Sequence, residues 1–435
     1  MSTNSSRSAT GRQIRTCYPP HPFGRRYANI PLLLPPPFLD FPYLNTVNQR
    51  FYSLDVFRGA TVALMILVNN PGSWAHIYSP LEHAPWHGCT PTDLVFPFFL
   101  FAVGNALAFV MPRLEAAGTS AFLKKVFRRS LLIFAIGLFL NWSPFVGWNG
   151  DHLAFRHWVS PDNPESGVRI LGVLQRIAIC YLFASLIIYF FKLRGAFLAA
   201  AIILLGYWTL CLVANPADPY SLAGWFGTNI DKAILGIPHM YKGEGLAFDP
   251  EGLMSALPAI TQVIFGYLAG VYIIQKGKTF ECCSGLFVLA GVLIFAGFCW
   301  HMVFPINKKI WTSSYVLYTT GLAMFILSML LYLIELRGRR GALTRFFDVF
   351  GKNPLFIFFL SGFLPRVMTL FRWTDHLAPD GKPVYTTAFG WFYEHVCRDI
   401  SINPNNGSLL YALCIIIFYW AIAWALDRNK IYIKV

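Results

Sequence analysis

The sequence predicts an all-α, polytopic membrane helix bundle of about ten transmembrane helices. Three observations carry this. Of the 435 residues 56% are hydrophobic and only 13% are charged, with a mean hydropathy of +0.50, and that little charge cannot clothe a soluble surface. Ten apolar stretches approach the roughly 20 residues that a helix rising 1.5 Å per residue needs to cross a ~30 Å hydrocarbon layer. The 40 Phe, 20 Tyr and 13 Trp suit helices facing lipid with aromatic belts at their ends.

Taken in order, the expected spans are 54–70, 93–112, 130–147, 169–191, 196–214, 252–274, 285–304, 313–336, 346–365 and 408–427. Residues 1–50 hold six arginines and a Pro-rich stretch, Ile30 to Pro42, and read as a disordered cytoplasmic tail. The remainder, 51–435, reads as one membrane domain. Loops at 113–129, 192–194, 275–280 and 337–345, with the residues after 427, hold 16 Lys and Arg; the alternate loops are longer in total and hold nine. By the positive-inside rule both termini are expected in the cytoplasm. The long loops 71–91, 148–168, 215–251 and 366–407, rich in His, Asp, Trp and Pro, then face the far side and are where a polar substrate is expected.

The +14 formal charge is scattered between apolar runs and forms no basic stripe with interleaved aromatics, so no nucleic-acid partner is expected. The nine cysteines show no metal-ligand spacing, and no metal site is expected. The lipid bilayer is the expected surrounding, and a homodimer is the candidate assembly. No repeat of 20 to 50 residues and no pair of inverted halves is present, which disfavours a secondary transporter.

Polar residues concentrate around the first two spans: Asp55 and Arg58 where the first begins, Asn69 and Asn70 where it ends, then Glu82, His83, Trp86, His87 and Asp93. Ionisable groups at membrane depth are costly and mark function. An imidazole titrates near neutrality, as acid–base catalysis requires, so His83 is the candidate catalyst; read alone, a loop His beside Trp is more often an interface residue than a catalyst, and its polar neighbours are what favour catalysis. Asn69 offers N–H donors to an oxyanion, and Asp93 can orient the imidazole. Asp55, Arg58, Asn70 and Trp86 are candidate substrate contacts, with mutual neutralisation of Asp55 and Arg58 the plain alternative. Arg176, Lys308, Lys352 and Asn353 are candidates for phosphate contacts; each can equally pair with a carboxylate or anchor a headgroup. Asp249-Pro250-Glu251-Gly252 reads as a helix start with Asp249 as its cap.

These residues lie in a familiar order. Ser53-Leu54-Asp55-Val56-Phe57-Arg58-Gly59, Val68-Asn69, His83-Ala84-Pro85-Trp86-His87-Gly88 and Thr92-Asp93-Leu94-Val95-Phe96-Pro97 resemble the heparan-α-glucosaminide N-acetyltransferase family. The likeness continues through Gly172-Val173-Leu174-Gln175-Arg176, Asp249-Pro250-Glu251-Gly252-Leu253, Ile306 to Tyr315 and Ile431 to Val435, covering residues 51 to 435. The resemblance implies acetyl transfer from cytosolic acetyl-CoA, as co-substrate, to an amino-sugar acceptor of glucosamine type across the membrane. The family's proposed catalytic histidine maps onto His83 and its nearby asparagine onto Asn69. Related bacterial inner-membrane proteins, some associated with N-acetylglucosamine use, imply a bacterial inner-membrane location and the rival function, an amino-sugar transporter. The chain departs from the lysosomal members in Pro85 and His87, and is expected to differ from them also in their N-terminal lumenal domain.

Overall fold

The computed structural model describes residues 50–433; the expected tail therefore lies outside the described residues apart from Arg50. Twelve α-helices and two short antiparallel hairpins make up the described chain. The helices are α1 (Tyr52–Asn69), α2 (Val95–Ala116), α3 (Thr119–Trp142), α4 (Val173–Ala214), α5 (Gly227–Leu235), α6 (Leu253–Lys276), α7 (Phe280–His301), α8 (Ser313–Leu330), α9 (Ala342–Lys352), α10 (Pro354–Met368), α11 (Ala388–Phe392) and α12 (Pro404–Arg428). Strands β1 (Val146–Asn149) and β2 (His152–Phe155) pair in one hairpin, β3 (Trp373–Leu377) and β4 (Pro383–Thr386) in the other.

Among the described residues seven helices are long and apolar enough to cross a membrane, and the bent pair α9 and α10 makes up to eight; the protein is a multi-pass membrane protein. The expected ten segments all fall on helices. At 42 residues, α4 carries about 63 Å of helix rise in all, twice a bilayer core. It breaks at Lys192, whose φ of 59° is foreign to a right-handed helix, and so supplies two of the ten. The third expected span begins eleven residues earlier than the sequence suggests, at Thr119, because the helix continues through Lys124, Lys125, Arg128 and Arg129 instead of leaving them in a loop. The ninth is not one helix: α9 and α10 meet at 79° where Pro354 follows Asn353.

Ion pairs sort the ends of the bundle into two faces. One, the basic face, joins Arg50 to Asp55, Lys278 and Arg340 to Glu335, and Lys352 to Asp427. The other, the loop face, joins Arg169 to Asp249 and Lys309 to Glu244. Here too Arg372 lies between the rings of Trp148 and Tyr385, 4.0 and 3.9 Å from their centres, and locks the two hairpins together.

Close helix packing positions both faces. A Cβ on Gly104 would come within 1.9 Å of the Val263 carbonyl oxygen, and one on Gly59 within 1.7 Å of that of Phe347, so only glycine allows α2 to meet α6 and α1 to meet α9.

Candidate active site

The loop between α1 and α2 folds around one carboxylate. Thr90 and Asp93 form a capping box on the short 3-10 turn Pro91–Leu94 that leads into α2. Asp93 Oδ2 accepts the backbone N–H of Ala84 at 3.1 Å, the N–H of Thr90 at 3.0 Å and the Thr90 hydroxyl at 3.1 Å. Its other oxygen, Oδ1, lies 2.7 Å from His83 Nδ1. A carboxylate only accepts, so Nδ1 carries the proton and Nε2 keeps a free lone pair. The Asp93 side chain is 1% exposed and that of His83 47%, so a buried anion orients a base that remains accessible.

The segment 306–312 completes the arrangement from 215 residues away in the chain. Lys308 Nζ lies 3.1 Å from His83 Nδ1 and 3.4 Å from Asp93 Oδ1; an ammonium has no lone pair, so its partner is the carboxylate. Burial pushes this amine below its ordinary value, with the Asp93 and Glu251 charges pulling the other way. Gly88 N–H donates to the Ile306 carbonyl at 2.8 Å, and the wholly buried Asn307 amide reaches His87 Nδ1 at 3.4 Å. Lys309 Nζ donates to the Pro85 carbonyl at 2.7 Å, and Trp86 Nε1 to the Tyr220 carbonyl at 2.8 Å, so the His-Ala-Pro-Trp stretch is held at both ends. Tyr315 donates its hydroxyl to the Asp93 carbonyl at 2.6 Å. Cys89 is no nucleophile here: burial pushes its thiol up to about 12.

The expected site residues divide among several places. His83, Asp93, Trp86 and Lys308 come together on the loop face. Lys308, a candidate phosphate contact, lies beside the imidazole–carboxylate pair. Asn69 and Asn70 line a neighbouring cleft of about 180 Å³ with Trp74, Tyr411 and Tyr419, and Asn70 Nδ2 donates to the Ile66 carbonyl at 2.9 Å. Asp55 and Arg58 sit at the other end of α1, about 21 Å of helix rise from Asn69, so they do not share a site with His83. Arg58 Nη2 pairs with Asp55 Oδ1 at 2.5 Å, and its Nε donates to the Gly351 carbonyl at 3.0 Å.

Together with Arg50 and Lys352, this pair rims a basic-face cavity of about 480 Å³ whose deeper wall is Phe57, Ala102, Asn105, Ala106 and Phe109. Asn353 lies buried beside it and binds backbone of the segment after α12. Arg176 is wholly buried over the Trp311 ring and donates to Gly252 O at 3.0 Å and to the Ser255 hydroxyl.

Sequence reasoning missed the carboxylates around Arg169. Arg169 Nη2 meets Asp249 Oδ1 at 2.6 Å and also Glu251. Burial alone would raise the Glu251 carboxyl, and the Arg169, Arg176 and Lys308 charges outweigh it and hold it below its ordinary value. Asp249 does not cap α6 as expected. It accepts the Glu251 N–H within its own turn at 2.9 Å, while Asp231 Oδ1 receives the Leu253 N–H at 2.9 Å and caps the helix from α5.

Residues 50–235 match the family described as "Heparan-alpha-glucosaminide N-acetyltransferase, catalytic". The chain is 27% identical over 352 residues to the human protein named heparan-alpha-glucosaminide N-acetyltransferase, covering 68% of this chain, and 27% identical over 349 residues to the mouse protein of that name, covering 67%. The aligned part spans about half (50%) of either relative's own length. Residues 50–235, which hold His83, Asp93, Arg169 and Arg176, are therefore the part of the chain that is similar to the heparan-alpha-glucosaminide N-acetyltransferase catalytic family.

Proposed function

We propose that the protein is an acetyltransferase that takes an acetyl group from acetyl-CoA on the basic face and places it on the amine of a glucosamine-type sugar on the loop face. The observation that carries this is the His83–Asp93 pair, 2.7 Å apart, with an accessible imidazole and the half-buried Lys308 ammonium beside it. The matched family supports the same chemistry and acceptor class.

The cavity on the basic face suits the donor: three cations at its rim for phosphates, and a narrow apolar and small-residue wall for a pantetheine arm. Ala102 on the cavity wall lies nine residues, about 14 Å of helix rise, from Asp93. On the loop face, His83 Nε2 removes a proton from the sugar amine as nitrogen attacks the thioester carbon. The tetrahedral intermediate then expels the CoA sulfur, which takes the proton back from the imidazolium. Asp93 is a positioning residue that keeps the proton on Nδ1. The Lys308 ammonium, 3.1 Å from His83 Nδ1, and the Asn69 amide are the proposed donors to the oxyanion. Trp86 and Asn70 are proposed to meet the sugar. The basic face is the cytoplasmic one by the Lys and Arg asymmetry, which puts Arg50 and the end of α12 in the cytoplasm of a bacterial-type inner membrane.

One observation favours a second reading, an amino-sugar transporter: the α9–α10 pair breaks beside the basic-face cavity, as discontinuous helices do where they line substrate paths. Incubating the purified protein with labelled acetyl-CoA and glucosamine separates the two. Labelled N-acetylglucosamine that depends on His83 is expected; binding of the sugar without product, across several amino sugars, favours transport.

A further inference from the structure

We infer that segment 429–433 forms the nucleotide end of the donor site, with the Tyr432 ring as a stacking platform for a planar base, so that the cavity selects a nucleotide-bearing thioester over a bare phosphopantetheine thioester. This rests on the reading of the basic-face cavity as the donor's entrance.

The chain turns sharply after α12. Lys430 adopts a φ of 56°, and its N–H donates to the Asp427 carbonyl at 3.0 Å. The following residues run to the α9–α10 break, where the wholly buried Asn353 uses both ends of its amide. Nδ2 donates to the Ile431 carbonyl at 3.0 Å, and Oδ1 accepts the Ile433 N–H at 2.8 Å. Residues two apart are thereby gripped on one edge, and the side chain between them, Tyr432, lines the cavity.

The ring is fixed as well as placed. Tyr432 donates its hydroxyl to Asp427 Oδ1 at 3.1 Å, and Asp427 Oδ2 holds Lys352 Nζ at 2.8 Å, so ring and cation share one carboxylate. Tyr432 stays 44% exposed. Arg50, Arg58 and Lys352 line the same cavity, which juxtaposes phosphate-binding charge with a flat aromatic face. A base that stacks on such a face needs no hydrogen-bond readout, only a fixed ring.

The test titrates CoA and 4′-phosphopantetheine into the purified full chain by calorimetry, for the wild type, Tyr432→Phe, Tyr432→Leu and Tyr432→Ala. The wild type is expected to bind CoA about tenfold more tightly than 4′-phosphopantetheine. Tyr432→Ala should cut that advantage several-fold, leaving only the part owed to the extra phosphates, with 4′-phosphopantetheine within about twofold of its wild-type affinity; Tyr432→Phe should keep it, and Tyr432→Leu, which keeps bulk without a flat ring, should behave as Ala. Equal wild-type affinities, no binding of CoA, or an equal loss for both ligands in the Ala and Leu variants would overturn the inference. Selective CoA binding by a protein that never transfers acetyl would instead defeat the proposed function and leave this inference standing.

Discussion

The two faces of this bundle handle charge in opposite ways. On the loop face the ionic groups are spent on one another: Asp93 is saturated by Ala84, Thr90, His83 and Lys308, and Arg169 is closed around Asp249 and Glu251. On the basic face, Arg50, Arg58 and Lys352 have carboxylate partners as well, yet they border an open cavity of about 480 Å³. Locked groups hold a geometry, and groups at a cavity rim can exchange partners with an incoming anion. Under the proposed function the difference separates a face for chemistry from one for binding, and substitutions on the two faces should fail in different ways.

The largest effect is expected at His83. His83→Ala should lower kcat/KM for acetyl transfer by about 10²- to 10⁴-fold while CoA binding, measured calorimetrically, is unchanged. A parallel loss of CoA affinity would erase the division between the faces. Arg169→Met should act on stability: it strands the buried Asp249 and Glu251 and should cost about 3–5 kcal/mol, read by denaturant unfolding followed through tryptophan fluorescence.

Asp231 gives the loop face a pH signature. It lies on α5, outside the spans, and burial pushes its carboxyl up to about 6 from the ordinary 3.8. The folded protein therefore holds this proton more tightly than the unfolded chain, and stability falls as pH rises from about 4 to 6. The change should be on the order of 2 kcal/mol, and Asp231→Asn should flatten it. The smallest effect belongs to the basic face, where Lys352→Met should raise KM for acetyl-CoA about tenfold with kcat kept.

What the sequence made legible follows the same division. Hydropathy placed the expected segments on helices, seven of them long and apolar enough to cross and the bent pair making up to eight, because lipid imposes one requirement on all of them. It misjudged α3, where four cations ride on the first half of the helix, and it could not see that Asn353–Pro354 bends a span by 79°. His83 and Asp93 stand ten residues apart and are readable as a base and its orienting acid; Lys308 stands 225 residues from His83, and only folding reveals it as their neighbour. The cap of α6 was misread for a similar reason. Asp249 has the right spacing, but Asp231, 22 residues before Leu253, reaches the helix start. Local patterns report helices, whereas charge partners are chosen by tertiary contacts.

The central claim is that donor and acceptor meet one protein from opposite faces. It is tested most directly in sealed proteoliposomes of uniform orientation, with labelled acetyl-CoA supplied only on the basic face and glucosamine only on the loop face. The account predicts N-acetylglucosamine accumulating on the loop face with no passage of glucosamine or CoA across the bilayer, and none of it with His83→Ala. Product that forms only when both substrates share a side would contradict it.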